Sequence, residues 1–468
     1  MASNYRRGQI GADQSTSRLY RCRSIMERYY PCLDPALRER IANGAMWSIV
    51  GAGLASGLAM AANVACARVL GSAHFGELAI VLGTMNLFVT LFTSGLSMTA
   101  SKYVAENRAT DLARAATVVG LSWSTSIVVG ILMIPMIITL SPWLSRDMLG
   151  APRLARALSL GAVVVFFGAL NGSQIGTLSG LEAFKQVAFG NLVRGIGTIV
   201  FVTIGAVLDG VVGALWGYVG VGAVTTIYYQ TAAHRACAAE GIVPSYRFDR
   251  DDIRMLWRFT LPVLLTTVSF TPAAWWSNVL LAKRSGYSEA GIFNAMVHWQ
   301  LFILFFSNAV SRMGLPILSN LRAEQDATKY KRYLAVNFVL TSAPAVVIGI
   351  LVALFSPLII KLYGPSFQHG ASALSLMSLA AILSAMNIPV GHAIWSLEAT
   401  TAAALLALLN GASLVLASSV LAGHGATGLA GAYVIMGVVQ TAVNVPFMGW
   451  LLRREFTVTT APETCAIA

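Results

Sequence analysis

Gly71-Ser-Ala-His-Phe-Gly76 and Gly286-Tyr-Ser-Glu-Ala-Gly291 carry the same two glycines at the same spacing, 215 residues apart. A shift of 216 carries Ala157-Leu-Ser-Leu160 onto Ala373-Leu-Ser-Leu376, Asn171 onto Asn387, and Leu181-Glu-Ala183 onto Leu397-Glu-Ala399. Gly213 and Tyr218 fall on Gly428 and Tyr433 at 215. Short words recur by chance in any apolar chain. A nearly constant offset held over some 150 residues does not, and it predicts two copies of one unit.

The unit is membrane-embedded. The chain has 468 residues, 56% hydrophobic and 11% charged, whereas soluble globular proteins carry roughly 25% charged residues. Apolar runs of about 20 residues recur from residue 43 to 451, long enough for helices to cross a bilayer and too long for barrel strands. The 42 glycines suit helices that approach closely in lipid. The first 42 residues are polar and rich in arginine, with no cleavable signal pattern. The five cysteines are scattered at Cys22, Cys32, Cys66, Cys237 and Cys465, without metal-ligand spacing or a disulfide framework. No metal and no cofactor is expected.

The fold expected is an all-α polytopic membrane protein of about twelve transmembrane helices. The spans read as 44–67, 77–100, 116–140, 157–177, 187–207, 212–232, 259–281, 290–311, 334–356, 371–394, 402–421 and 428–450. Placing the N-terminus inside puts 24 of the 32 lysines and arginines on the cytoplasmic face and six in outer loops. By the positive-inside rule both termini are then cytoplasmic. This bias accounts for the net charge of +12 without nucleic acid. Six spans per copy is an even number, so the copies are parallel, related by an axis along the membrane normal. The organisation is a basic N-terminal segment at 1–42, a first lobe at 43–232, a cytoplasmic linker at 233–258, a second lobe at 259–451 and a tail at 452–468.

Polar residues inside spans are costly, so their helical positions carry information. In span 8, Asn294, His298, Asn308 and Arg312 fall within roughly an 80° arc. In span 2, Asn86, Thr90, Thr93 and Ser97 share a face, and the 215 shift sends them to Leu301, Phe305, Asn308 and Arg312 on the span 8 stripe. Asn63 of span 1 maps onto Asn278 of span 7. These matches point to a wet cavity on the pseudo-two-fold axis, lined by spans 1, 2, 7 and 8. The competing reading is ordinary helix–helix packing, which asparagine, serine and threonine also serve.

Arg194 is the one basic residue well inside a span, about 12 Å from the cytoplasmic start of span 5. Its repeat mate is Asn410. It either lines an inward-facing site or snorkels to headgroups. Arginine suits phosphate because its planar fork makes paired hydrogen bonds. Arg68, Lys283 and Arg284 form a candidate basic ring at the outer end. Glu77 is the one acid near a span, so the stripes suit an anion better than a cation. His298 either relays a proton or makes a helix contact, and Trp275-Trp276 either anchors or stacks on a sugar. No P-loop, GxGxxG, HExxH or GxSxG stands in a usable context and the outer loops are short, so the chain does not read as an enzyme.

Ala67-Arg-Val-Leu-Gly-Ser-Ala-His-Phe-Gly76, Ser101-Lys-Tyr-Val-Ala-Glu106, Gly176-Thr-Leu-Ser-Gly-Leu-Glu-Ala-Phe184, Gly286-Tyr-Ser-Glu-Ala-Gly-Ile-Phe293 and Tyr363-Gly-Pro-Ser-Phe367 together resemble bacterial polysaccharide flippases. This is the polysaccharide transporter (Wzx-type) branch of the multidrug/oligosaccharidyl-lipid/polysaccharide (MOP) exporter superfamily, and the resemblance runs from about 43 to 450. It implies a two-lobed bundle working by alternating access in the bacterial inner membrane. It implies a polyprenyl-pyrophosphate-linked glycan as cargo, for O-antigen lipopolysaccharide or exopolysaccharide. It implies membrane lipids, a polysaccharide polymerase and a chain-length regulator as partners. It also implies a cationic cavity, for which Arg194 and Arg312 are placed. The rivals are a cation-coupled multidrug antiporter of the same superfamily, a membrane polymerase or glycosyltransferase, and a passive assembly subunit.

Overall fold

The computed structural model describes residues 35–250, 252, 254, 270–311 and 314–458, with side chains from residue 51 onward except at 52, 92–94, 400 and 457–458. Every regular element among them is helical. Helix α1 runs Pro35–Asn107, α2 Leu112–Trp143, α3 Ala155–Gly180, α4 Phe184–Gly197 and α5 Thr203–Ala239. In the second half α6 runs Thr271–Ser285, α7 Tyr287–Ser311, α8 Gly314–Ala323, α9 Ala327–Leu354 and α10 Ser356–Lys361. The last three are α11 Ala371–Ser396, α12 Thr400–Leu421 and α13 Gly425–Val458.

Eight helical stretches among the described residues are long and apolar enough to cross a membrane. Three of them contain a reversal. The 73 residues of α1 would extend about 110 Å if straight, far beyond a hydrocarbon core of about 30 Å. The helix breaks at Gly71, whose φ of 69° lies in the region open to glycine. Helix α5 breaks at Asp209 and Gly210, and folds back so tightly that a side chain on Gly205 would lie 2.1 Å from the Gly213 carbonyl oxygen. A short turn at Ala422–His424 separates α12 from α13. With the start of span 7 outside the described residues, these helices account for the spans expected from sequence.

Duplication extends to individual hydrogen bonds. Asn171 donates to Thr225 at 3.0 Å, and its repeat mate Asn387 donates to Thr441 at 2.7 Å. The hydroxyls of Ser141 and Ser159 pair at 2.8 Å, those of Ser356 and Ser375 at 3.1 Å. Glu182 and Glu398 both take a left-handed backbone, at φ 57° and 58°. Each meets an arginine, Arg108 in one lobe and Arg322 in the other. Asp111 and Asp326 cap their helices through the amides of Arg114 and Lys329. The Lys329 amide, more than any other contact, holds the Asp326 carboxyl below the usual carboxylate range.

The matched asparagine–threonine bonds allow a direct measurement. Thr225→Val and Thr441→Val should each lower the unfolding free energy in bicelles by about 0.6 kcal/mol, and by no more than about 1.7 kcal/mol. A large loss in one lobe only would show that the two bonds are not equivalent.

Candidate functional site between the lobes

The two halves meet through the repeated glycine motif itself. A side-chain carbon on Gly76 would lie 1.8 Å from the Tyr287 carbonyl oxygen, and one on Gly291 would lie 1.9 Å from the Ser72 carbonyl oxygen. The two glycines are repeat mates, so α1 and α7 approach backbone to backbone about the pseudo-two-fold axis. Ser72 and Ser288, one register apart by 216, share a hydrogen bond at 2.6 Å. Residues related by an axis touch each other when they lie close to it.

Loops seal this end. From the first lobe, the Leu149 carbonyl accepts from the Tyr287 hydroxyl at 2.9 Å and the Asp147 carbonyl accepts from Lys283 at 2.8 Å. From the second lobe, Ser366 accepts from the Ser72 amide at 3.2 Å. Phe367 meets Phe75 edge-on at 6.3 Å between centroids. Tyr363, 1% exposed, sits between the lobes: its hydroxyl donates to Asn63 at 3.2 Å and accepts from the Trp299 indole at 3.0 Å. Trp275 of α6 donates to Thr84 of α1 at 3.0 Å.

Parts of the polar stripes lie near the faces on which α1 and α7 meet, while Asn86 and Asn308 fall about 80° and 100° around from Gly76 and Gly291. Counting about 100° per residue, Thr90 and Ser97 fall about 40° and 60° around α1 from Gly76. His298 and Phe305 fall about 20° and 40° around α7 from Gly291. Phe305 reaches α1, its ring tip 3.2 Å from where a side chain on Gly53 would begin. Asn86 and Asn308 are exposed, and Thr90, Ser97 and His298 are half-buried. The stripes differ in chemistry midway. Asn86 and Thr90 have Leu301 and Phe305 as mates, and Trp299, Phe302, Phe305 and Phe306 form a run of ring contacts at 5.0–6.4 Å.

Other candidates serve packing in this arrangement. Asn63 is buried at 6% exposure under Tyr363. Asn294 donates to Asn278 at 2.9 Å, joining α7 to α6. Arg284 bonds the Ser419 carbonyl and Lys283 the Asp147 carbonyl, so two of the three outer basic residues are occupied by the backbone, while Arg68 is exposed. Arg194 is exposed on α4, with Asn191 its nearest acceptor at 3.4 Å. It lies four residues before a π-helical turn at Thr198–Val202, an irregularity that recurs at functional sites. Its mate Asn410 holds a buried oxygen with no hydrogen-bond partner. Arg312 and the Thr93 side chain lie outside the described residues.

The carboxylates along these stretches are engaged by other groups. Between residues 51 and 100 and along α6 and α7, the acids are Glu77 and Glu289. Glu77 is 7% exposed and pairs with Arg153, whose guanidinium also lies 5.8 Å from the Tyr287 ring. Glu289 accepts from the Ala426 amide at 2.7 Å, at the start of α13.

Residues 41–322 match the polysaccharide biosynthesis protein family. The chain belongs to that family. No curated protein matches it. Its fold is that of MOP superfamily transporters. An inward-facing multidrug resistance MATE family transporter superposes with a TM-score of 0.68 at 15% identity, over 90% of this chain and 96% of the other. An outward-facing MATE structure gives 0.66, at the same identity and coverage. A MOP superfamily transporter from Pyrococcus furiosus Vc1 (DSM3638), whose reversed pocket polarity is described as suggesting a different function, gives 0.61 at 15% identity, over 89% and 96%. This member of the polysaccharide biosynthesis family is therefore a multi-pass membrane protein of two pseudo-symmetric lobes, in a fold that it shares with those transporters. Sequence reading passed over the Tyr363 plug and the Ser72–Ser288 contact. The second left little signal in the chain, since the motif's own offset of 215 sets Ser72 opposite Tyr287 and Ser288 one residue further on.

Proposed function

We propose that the chain is a flippase for polyprenyl-pyrophosphate-linked oligosaccharide units in the bacterial inner membrane, supplying surface polysaccharide. The observation that carries this reading is family membership combined with an inter-lobe face whose acids are already engaged, Glu77 by Arg153 and Glu289 by the Ala426 amide. A pyrophosphate crossing bare hydrocarbon loses its hydration at a cost of many kcal/mol. A chamber between the lobes spares that cost while the polyprenyl tail stays in lipid. Arg194 and Arg312 supply the charge for the pyrophosphate. Asn86, Thr90 and Ser97 offer hydrogen bonds to sugar hydroxyls from one side. The aromatic run of α7 offers faces for sugar rings from the other. Parting and closing of the lobes at the Gly76–Gly291 contact then exposes the chamber to either side in turn.

A drug antiporter of the same superfamily is supported by the fold but needs a carboxylate free to hold its cation, and Glu77 and Glu289 are engaged. The deciding experiment is the double substitution Arg194→Ala and Arg312→Ala in the native host. Surface polysaccharide should fall at least about tenfold with membrane levels of the protein unchanged, because no other side chain replaces a guanidinium fork. Undiminished polysaccharide would reject the phosphate role.

A further inference from the structure

In the second lobe, two buried polar atoms without partners converge on one glycine. His392 Nδ1 and Asn337 Nδ2 make no hydrogen bond. A side-chain carbon on Gly314 would lie 2.7 Å from the first and 2.8 Å from the second. Asn337 is 4% exposed, and its other side-chain atom, Oδ1, accepts from Thr341 at 3.3 Å. Three elements supply the site: α8 begins at Gly314, α9 carries Asn337, and α11 carries His392. Burying polar atoms without partners is costly, so the cluster is poised to take up something small.

The first lobe lacks this arrangement, and the contrast is informative. At the repeat offsets His392 corresponds to Gly176, Gly314 to Thr99 and Asn337 to Ser122. There the glycine lies on α3, and a side chain on Gly176 would be 2.4 Å from the Ser97 carbonyl oxygen. The same crevice exists in both lobes, but in the second the glycine has changed sides and an imidazole fills the space. Fold constraints act equally on both copies. At these three positions a titratable side chain stands in the second lobe only; in the first, Ser122 Oγ is also buried without a partner, and the histidine nearby, His234, is turned to Trp123 at 4.9 Å and to Gln230 at 2.9 Å.

We propose that His392 and Asn337 form a proton-binding site in the second lobe, and that its occupancy biases the arrangement of the two lobes. The step is simple addition: a solvent proton binds the lone pair of His392 Nδ1, giving an imidazolium. Asn337 serves both forms, since its amide offers a donor to the neutral ring and, turned over, an acceptor to the charged one. Gly314 follows closely on α7, whose far end carries Gly291 at the lobe contact. A charge appearing on His392, packed against Gly314, therefore lies beside the chain that continues from the helix at the lobe contact.

The neighbouring ionisable groups are mostly committed elsewhere. On α8, Arg322 pairs with Glu455 of α13 at 2.8 Å and with Glu398 at 3.0 Å. On α9, the Tyr330 hydroxyl pairs with Ser396 at 2.6 Å, and Lys329 pairs with Asp326. On α13, Arg454 lies 5.5 Å from the Trp450 ring. On α7 the titratable side chains are Tyr287, Glu289 and His298, and Arg312 lies outside the described residues.

The test uses the full chain in nanodiscs with ¹³C-labelled histidine, and needs no substrate. It can therefore fail while the flippase reading stands, or succeed while that reading falls. One of the six histidine resonances should vanish in His392→Gln and titrate reversibly in the unsubstituted protein. Asn337→Asp should raise its midpoint by about one pH unit or more, because an adjacent carboxylate stabilises the imidazolium. Spin labels on cysteines at positions 72 and 288 should show a distance distribution that changes with pH, and that response should be lost in His392→Gln but kept in His298→Gln. If His392→Gln does not fold, the Asn337→Asp shift decides alone. No histidine midpoint moving in Asn337→Asp, or a pH response surviving in His392→Gln, overturns the proposal.

Discussion

Cysteines introduced at Ser72 and Ser288, in a background lacking the five native cysteines, are expected to form a disulfide under mild oxidation and stop transport outright. The two hydroxyls already stand 2.6 Å apart, within the reach that a disulfide's short carbon–carbon separation demands. The bond would join the lobes at the axis, where the backbones are closest. If the lobes must part here for cargo to leave, one covalent link suffices to arrest the cycle. Surface polysaccharide should drop to background and recover on adding a reductant, while either single cysteine leaves transport near normal. Efficient cross-linking with undiminished transport would show that this end does not open. Failure to cross-link would show that the two motifs do not meet.

The second large effect concerns the glycines that permit the meeting. In Gly76→Ala the new carbon would begin 1.8 Å from the Tyr287 carbonyl oxygen, and in Gly291→Ala 1.9 Å from the Ser72 carbonyl oxygen. Backbone atoms on both sides leave no flexible neighbour to yield, so the lobes must separate. Overpacking of this kind costs about 1–3 kcal/mol, which reduces the closed population about 5- to 150-fold. The expected outcome is protein that inserts and purifies normally but spends little time closed at this end, read as a matching fall in the 72–288 cross-linking rate. Gly83→Ala, on the same helix with nothing within 4 Å of the added carbon, is the control and should behave as the unsubstituted protein. Equal cross-linking in all three variants would remove the close approach as the organising contact.

Much of the fold is legible in the chain because two of its determinants are local. Apolar runs define spans through the bilayer's thickness, and the repeat offset pairs residues such as Asn171 with Asn387 before any coordinate is known. The candidate site is legible only as faces. Helical periodicity places Thr90, Ser97, His298 and Phe305 on the sides that turn toward the other lobe, since angle along one helix is a local property. Periodicity says nothing about partners. Asn63 and Asn294 share the stripe's polarity, yet one is held under Tyr363 and the other by Asn278. His392 reads as an unremarkable helix-end residue in sequence; its interest comes from Gly314 and Asn337, 78 and 55 residues away.

Sequence alone therefore determined a duplicated, all-helical, acid-poor membrane protein, because bilayer thickness, charge cost and internal repetition act along the chain. Tertiary structure alone decided which polar groups are consumed in joining helices and lobes and which are left unpartnered. That distinction depends on distances between segments remote in sequence, where a fraction of an ångström separates a satisfied hydrogen bond from an open one.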